Sequence, residues 1–383
     1  MMRYKLIISL FVVFFSIEVF SQYSTNFVMP ILDINPNARI GGVGDIGVVS
    51  SDFYKDAGLF QNPSLISNNS IFSGTGLNLR SIKDSDKKNA CIEGWSGYFA
   101  SDSLNAFGFN LAYLNYEDHL ITDEFGKPLP DFEPYELYLQ FNYSRSFSKS
   151  LTAGIGIKYI RSNYAFSELE NTINTYSIDL GINYHKKYNL ANNSNLTTSS
   201  GLAITNFGPR ISNNQDEKAF IPAKILFGLF INPDINISHL FRLTIELGYQ
   251  AEKYLIPSEP VYNTEGEIID GKDPDITIFN ALYQSFYDSP DGFSGELDEI
   301  RNKFGSEFRL NYLNTAFLAL RHGRIFELES LGGGNYQTFG GGLGLWGFMI
   351  DYMYINSDNY FLNTNWAITI SARYNLGGTF FRF

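Results

Sequence analysis

Segments in which apolar and polar residues strictly alternate dominate the sequence, and they restrict the fold more than any other feature. One segment places Tyr135, Leu137, Leu139, Phe141 and Tyr143 on one face, against Glu136, Gln140, Asn142 and Ser144. Similar segments begin at Leu151, Tyr176, Phe241 and Trp366. Alternation with period two predicts β-strands that are buried on one side. Each run spans about 9–12 residues, which a tilted strand needs to cross a bilayer and which exceeds the usual globular strand.

Charged residues lie on the polar faces of these segments. They are Glu136, Lys158, Asp179, Arg242, Glu246 and Arg373. At the middle of a lipid-facing surface an Arg or Lys costs about 2–4 kcal/mol, so these side chains are expected inside a barrel. Aromatic residues end several apolar faces, as Tyr135 and Tyr143 do, which is typical of the two aromatic girdles of membrane barrels. The sequence therefore predicts an all-β fold, a transmembrane antiparallel β-barrel.

Fourteen candidate strands can be counted. They begin near Ile71, Ala90, Asn105, Tyr135, Leu151, Thr175, Leu196, Ala223, Leu240, Gly305, Thr315, Tyr336, Phe348 and Thr364. Short connections (101–104, 148–150, 233–239, 314, 347) alternate with long ones (117–134, 163–174, 207–222, 253–304, 325–335), and 188–195 is of medium length. Outer-membrane barrels have an even strand number, short periplasmic turns and longer external loops. A sandwich does not predict this alternation, and a propeller would show a repeat that is missing here.

The first residues predict export. Arg3 and Lys5 precede an apolar run of about a dozen residues, which is shorter than the roughly 20 that a membrane helix needs. We expect a signal peptide over residues 1–21, cleaved after Ser21. Cys91 is the only cysteine, so neither a lipid-modified cysteine near the cleavage site nor a disulfide is expected. The net charge of −12, without clustered Lys and Arg, argues against nucleic-acid binding.

Two regions do not read as barrel wall. Residues 22–69 are rich in Gly, Asn, Pro and Ser and are expected to fill or line the lumen, while 70–383 form the barrel. Residues 253–304 are a long external insertion with turn-rich sequence and two predicted helices, at 276–287 and 294–304. In the second helix Leu297, Ile300 and Phe304 would share one face. A structured external loop of this size is commonly functional.

No motif predicts catalysis, a cofactor or a metal. The run from Gly42 to Gly47 satisfies G-x-G-x-x-G but does not follow a strand or open a helix, as dinucleotide binding requires. A tight backbone path inside a crowded lumen explains these glycines better. The four histidines are scattered without partners at metal-ligand spacing. Serines are frequent, but no nucleophile motif accompanies them.

The run from Asn35 to Val48, NPNARIGGVGDIGV, followed by Gln61-Asn62-Pro63-Ser64, is specific. It resembles the N-terminal signature of the PorV family of type IX secretion outer-membrane proteins, a branch of the FadL-like barrels. Residues 158–162, 204–208, 284–288 and 295–300 are similar to the same family, in the same order. One departure is the short region 81–104, where an aromatic stretch with Trp and Pro is expected; a specialised paralogue with narrower cargo or another partner would explain it.

The resemblance implies a fourteen-stranded barrel in the outer membrane that performs no catalysis and needs no cofactor. Its implied partners are the large translocon barrel of the type IX system, the C-terminal domains of secreted cargo and the surface attachment complex, besides outer-membrane lipid. The barrel would capture the cargo signal domain and pass it on. The hatch motif of FadL-like proteins corresponds to Gly41, Gly42, Gly44, Asp45, Gly47, Asn62 and Pro63.

Residues of the long loop are the expected partner contacts. They are Gln284, Phe286, Tyr287, Phe293, Leu297 and Ile300. Two alternatives stay open at this point. A FadL-like transporter for hydrophobic small molecules would need an apolar pocket in the lumen near 41–69, and a purely structural barrel would bind a partner but no ligand.

Overall fold

A computed structural model describes residues 29–49, 58–67, 72–83, 89–116, 134–163, 172–212, 218–313, 315–326, 335–357 and 365–375. The predicted signal peptide lies outside these residues. Fourteen antiparallel strands form a closed barrel. They are β1 (Phe72–Lys83), β2 (Asn89–Ala100), β3 (Asn105–Tyr116), β4 (Tyr135–Ser146), β5 (Leu151–Asn163), β6 (Ile173–Asn189), β7 (Asn195–Phe207), β10 (Lys224–Asn236), β11 (Phe241–Tyr254), β14 (Arg301–Tyr312), β15 (Ala316–Phe326), β16 (Tyr336–Leu345), β17 (Phe348–Ser357) and β18 (Trp366–Asn375).

Two small hairpins and three short helices complete the described structure. β8 (Ile211–Ser212) pairs with β9 (Lys218–Ala219), and β12 (Val261–Tyr262) pairs with β13 (Ile268–Asp270). The helices are α1 (Ala38–Gly42), α2 (Ile278–Gln284) and α3 (Gly292–Asp298), besides 3-10 turns at Pro30–Leu32 and Pro63–Ile66. No helix among the described residues is long and apolar enough to cross a membrane.

Pairing of the first and last strands closes the barrel. β1 runs antiparallel to β18 from Phe72 opposite Asn375 to Ser81 opposite Trp366. Closure gives each barrel strand a neighbour on both sides and leaves no open edge, as a hydrocarbon environment requires. The predicted number of strands is confirmed, and each predicted start lies within four residues of the observed one.

The inward and outward faces follow the predicted alternation. Outward side chains are apolar and exposed, for example Leu77, Ile157 and Leu320. Glu136, Lys158, Asp179 and Glu246 are buried inside, as predicted, and Arg242 lies partly exposed on the same inward face. Ring pairs between neighbouring strands form at both ends of the wall: Tyr113–Tyr135 (5.7 Å) and Tyr159–Tyr176 (5.5 Å) at one end, Phe107–Tyr143 (5.3 Å) and Phe241–Tyr312 (5.3 Å) at the other.

Connections differ between the two ends of the barrel. Turns of two to five residues at the short-turn end (101–104, 147–150, 190–194, 237–240, 313–315, 346–347) alternate with longer connections at the long-loop end, where only 84–88 is short. Pro233 was predicted in a turn, but it lies within β10. Proline has no N–H, and the pairing of β10 with β11 is interrupted here. It stops after the pair Ile231–Leu247 and resumes in the same register at the pair Asp234–Thr244.

An internal segment, residues 29–49 and 58–67, runs through the lumen from end to end. At the long-loop end Ile31 N donates to Glu136 Oε2 (3.0 Å) and Lys224 Nζ contacts Asp33 Oδ1 (2.5 Å). At the short-turn end the hydroxyls of Ser67 and Ser146 lie 2.7 Å apart. The lumen along this path is therefore filled by the chain itself.

Glycines of the wall let the internal segment approach the strand backbone. A Cβ on Gly201 would lie 2.3 Å from Val48 O, and one on Gly305 would lie 2.2 Å from Val43 O. A Cβ on Gly323 would lie 2.1 Å from Gly44 N. Such distances exclude any side chain, so these positions need glycine for close contact rather than for backbone conformation.

The contact at Gly323 can be tested by adding one methyl group. Gly323→Ala should destabilise the barrel by about 1–3 kcal/mol, because the methyl group overlaps Gly44 and Thr338. Gly341→Ala on the adjacent strand is the matched control, since its nearest neighbour would be 3.9 Å away, and it should stay within about 0.5 kcal/mol of wild type. Urea unfolding of the purified proteins in detergent measures both; equal stability of the two variants would contradict the contact.

Candidate functional site

The glycine-rich motif forms a helix followed by a tight turn inside the barrel. Asn37 caps α1, since its Oδ1 accepts from Arg39 N (3.0 Å) and Ile40 N (3.1 Å). Gly44 adopts φ 79° and donates its N–H to Thr338 Oγ1 (3.1 Å). The motif thus faces wall backbone and side chains, and it lacks the strand–turn–helix context of a dinucleotide site.

The predicted hatch residues occupy two places in the lumen. Gly41, Gly42 and Gly44 lie against β14 to β17, whereas Pro63 lies against Gly154 of β5. Asn62 connects the two places. Its Oδ1 accepts from Ser64 N (2.9 Å), and its Nδ2 donates to Val48 O (2.7 Å) beside Gly47. Asp45 contacts Arg80 on β1 at 3.6 Å.

A buried charge cluster ties α1 to the wall. Arg39 Nη2 contacts Glu246 Oε2 (2.5 Å), and its Nε contacts Glu307 Oε2 (3.4 Å). Arg321 bridges Glu307 (2.5 Å) and Asp351 (2.7 Å). With Arg309 the cluster contains three cations and three carboxylates, so its net charge is zero. The sequence singled out only Glu246 of this set. The wall members of the cluster could have been found by one sequence signal, a charged residue at an inward-facing position of its strand.

A second group of ion pairs holds the internal segment at the long-loop end of the barrel. Asp33 contacts Lys224 (2.5 Å) and Arg301 (3.5 Å), and Glu252 contacts Arg301 (2.6 Å) and Lys303 (2.9 Å). Burial raises the pKa of the Asp33 carboxyl, but Lys224 and Arg301 together lower it to about 2. Asp33 is therefore a fixed anion, and the segment is anchored by charge at this end as well.

The ion pairs around Arg39 predict that substitutions in this cluster have non-additive effects on the free energy of unfolding. Arg39→Met leaves Glu246 and Glu307 with less compensation in a dry environment and should destabilise the barrel by about 3–5 kcal/mol. In a double-mutant cycle, Glu246→Gln should recover part of that loss, because it removes one of the stranded charges. Urea unfolding measures all four proteins. Strict additivity of the two substitutions would show that the pair does not interact.

The long loop, residues 255–300, folds against the neighbouring connection. Arg210 contacts Asp275 Oδ1 (2.5 Å) and donates to Ile276 O (3.1 Å). The rings of Phe207 and Phe279 lie 5.4 Å apart. Beneath them Phe220, Tyr254, Ile256 and Ala281 form an apolar cluster. The long loop is thus a structured platform at the long-loop end.

An acidic latch, consisting of Asp288, Glu296 and Glu299 with Ser258 and Lys253, fastens α3 to the end of β11. Lys253 Nζ contacts Glu296 (3.0 Å) and Glu299. Glu296 Oε1 accepts from Asp288 N (2.7 Å) and Ser289 N (2.9 Å), which orients the connection between α2 and α3. Ser258 Oγ donates to Asp288 Oδ1 (3.1 Å) and to Glu299. The sequence did not identify this latch, because its members are scattered over 47 positions from 253 to 299.

The predicted partner contacts are mostly exposed. Phe286 is 50%, Tyr287 57%, Phe293 78% and Leu297 51% exposed. Gln284 is half-buried and donates to Asp273 O (2.8 Å), and Ile300 is half-buried. Phe279 and Tyr283 on α2, which the sequence did not single out, are both more than 60% exposed.

The second predicted helix was too long. α3 ends at Asp298, and β14 begins at Arg301. Phe304 therefore belongs to the wall, where its ring lies 5.1 Å from that of Tyr249, and it does not share a helix face with Leu297. The segment from Arg301 onward is a strand because Arg301, Lys303 and Glu307 lie on its inward face, where they form ion pairs. The helical spacing of Leu297, Ile300 and Phe304 had obscured this alternation.

The acidic latch predicts that the stability of the long loop against local opening depends on pH. Burial, reinforced by Glu296 and Glu299, raises the pKa of Asp288 from 3.8 to about 6, although hydrogen bonds from Ser258 oppose the shift. The folded loop then holds a proton that an opened loop releases. This stabilisation is complete below pH 3.8 and is lost as the pH rises through 6. Between pH 5 and 7, local opening measured by hydrogen exchange should increase about tenfold more in wild type than in Asp288→Asn. Equal pH responses would contradict this assignment.

No group of three or more His, Cys, Asp or Glu suited to a metal ion occurs within the described ranges.

One comparison with known proteins identifies the family. The family model described as "Type IX secretion system protein PorV" matches residues 21–261, which are 241 of the 383 residues. The chain belongs to the PorV family. It is accordingly an outer-membrane β-barrel of type IX secretion. No curated protein matches the sequence.

Solved structures similar to this PorV-family barrel include a transporter and a FadL homologue. The toluene transporter TbuX of Ralstonia pickettii is 10% identical, with a TM-score of 0.40, and the match covers 91% of this chain and 98% of that one. A FadL homologue of Pseudomonas aeruginosa is 8% identical, with a TM-score of 0.44, and covers 93% and 100%.

Proposed function

We propose that this protein is a non-enzymatic subunit of the type IX secretion system that receives the C-terminal signal domain of cargo from the translocon and passes it to the surface attachment machinery. Family membership carries the proposal. The internal segment supports it, because residues 29–49 and 58–67 occupy the lumen and leave no room along their path for a folded domain. Cargo would then be handled at the long-loop end.

The structured platform is the proposed contact surface. The acidic latch fixes the connection between α2 and α3, and the packing on Arg210 and Phe207 fixes α2. Residues held in this way lose little conformational entropy on binding, which favours affinity. Their exposed aromatic side chains are of the type enriched in binding hot spots.

The role can be tested in a deletion strain complemented with paired variants. Phe293→Ser with Leu297→Ser changes two exposed residues of α3, whereas Phe147→Ser with Leu190→Ser changes residues of comparable exposure (65% and 48%) at the short-turn end. We expect the first pair to reduce surface display of cargo with a C-terminal signal by at least about tenfold at equal barrel abundance, since two residues that each contribute about 1–2 kcal/mol weaken binding by about 30-fold or more. The second pair should secrete like wild type.

Two results would count against this role. One is normal secretion in the deletion strain, together with affinity purifications that recover neither cargo nor translocon. The other is an equal defect from both pairs of substitutions, because a general loss of barrel integrity would then explain it.

Transport of hydrophobic small molecules is the second candidate. It is favoured by one observation, an apolar cluster at the long-loop end where Met29, Ile31 and Leu32 meet Ile92 and Ile160 of the wall. Below this cluster the path crosses the ion pairs of Arg39. Uptake of a labelled fatty acid that depends on the gene, with secretion unaffected, would favour this candidate over the first.

A further inference from the structure

The long loop carries almost the whole net charge of the protein. Residues 255–300 contain 11 of the 40 acidic residues but only one of the 28 basic residues, Lys272. The loop is therefore near −10, against −12 for the entire chain. Seven of its carboxylates are on exposed residues: Glu259, Glu265, Glu267, Asp270, Asp273, Asp275 and Asp291. A surface of this kind attracts cations over several ångströms and accelerates their association.

The same loop exposes apolar faces on both helices. Phe279 and Tyr283, four positions apart on α2, are 65% and 72% exposed, and Phe293 and Leu297 have the same spacing on α3. Residues at this spacing share one side of a helix. The opposite side of α2 is covered, since Ala281 is buried in the cluster with Phe220 and Tyr254. Phe279 also contacts the ring of Phe207 (5.4 Å between ring centres) but stays 65% exposed, so most of the area of these faces is available to an occupant.

One contact within the loop indicates what chemistry it accepts. Lys272 Nζ lies 3.6 Å from the centre of the Tyr287 ring, between the exposed carboxylates Asp270 and Asp273 in sequence. An ammonium ion over an aromatic ring is attracted by the ring's quadrupole. The single lysine of the loop thus already packs on an aromatic ring, and α2 and α3 expose further rings of this kind.

We infer that the exposed faces of α2 and α3 bind a basic polypeptide segment that also carries apolar side chains. The carboxylates would steer its lysines and arginines, and the aromatic faces would bury its apolar side chains. An anionic lipid surface is disfavoured, because it would be repelled by a loop with this charge. The inference rests on the proposed function in that it names the chemistry of the partner segment, but binding is measured without cargo or translocon.

Synthetic peptides provide a direct test on the full-length protein in nanodiscs of zwitterionic lipid, with empty nanodiscs as the blank. Three unstructured peptides are compared: Lys with Leu, Glu with Leu, and Lys with Ser, each spaced by Gly. We expect the Lys–Leu peptide to bind at least about tenfold more tightly than either of the others, because only it satisfies both the charge and the apolar faces. Equal binding of the Glu–Leu peptide would overturn the inference.

Charge is tested by a neutralised variant with a matched control. The variant combines Glu265→Gln, Glu267→Gln, Asp270→Asn, Asp273→Asn and Asp291→Asn, all on exposed residues outside the acidic latch. The control exchanges the same carboxylates among themselves, Glu to Asp and Asp to Glu. Neutralisation should lower the association rate of the Lys–Leu peptide about tenfold and weaken its salt dependence, whereas the control should retain both. Unchanged binding in the neutralised variant would contradict the inference.

The apolar contribution is tested by dissociation. Phe293→Ser with Leu297→Ser should raise the dissociation rate of the Lys–Leu peptide about tenfold, and Phe147→Ser with Leu190→Ser should not. Preferential binding of the wild-type protein to vesicles that contain anionic lipid, abolished by the α3 substitutions, would assign the faces to a membrane and overturn the inference. If secretion instead proves independent of the gene while the peptide preference holds, the proposed function fails and this inference stands.

Discussion

The structure depends on the fit between the internal segment and the wall of the barrel. A fourteen-stranded wall encloses more space than its own side chains fill, and here the chain fills it with residues 29–49 and 58–67. Glycines on the wall permit backbone contact, and Arg39 forms ion pairs with Glu246 and Glu307, which lie opposite each other on β11 and β14. Charges buried in this way destabilise a structure unless every partner is present. The segment and the wall therefore require each other.

This constraint assigns the lumen to the support of the fold and leaves the long-loop end as the proposed contact surface. Because the internal segment occupies the lumen, exposed surface is concentrated at the long-loop end, where the connections are long and one of them forms α2 and α3. The acidic latch ties that loop to β11 through the ion pair of Lys253 with Glu296, which also accepts from Asp288 N. The exposed aromatic residues are thereby presented from a fixed frame, as a binding surface requires.

The sequence predicted the wall well because its signal is repeated in every strand. Alternation at Tyr135 to Tyr143 reports the inward and outward faces directly, and Pro233 misled only because a turn residue can also lie within a strand. The interior was less predictable. Arg39, Arg321 and Asp351 meet across strands far apart in the chain, and no local pattern encodes such a meeting. The end of α3 was misplaced since Phe304 has both helical spacing from Leu297 and strand alternation, and the ion pairs of Arg301 and Lys303 decide for the strand.

A cross-link between the internal segment and the wall tests the central claim most directly. Gly42 and Gly340 approach closely enough for a Cβ on either to lie about 3.1–3.3 Å from the other's Cα. Cysteines at both positions, in a Cys91→Ser background, would tie the segment to β16. The measurement is the rate at which cells display cargo with a C-terminal signal, with and without reductant. A packed lumen predicts equal rates in the two conditions. Display that is blocked by the disulfide and restored by the reductant would show that the segment must move, and would contradict the account.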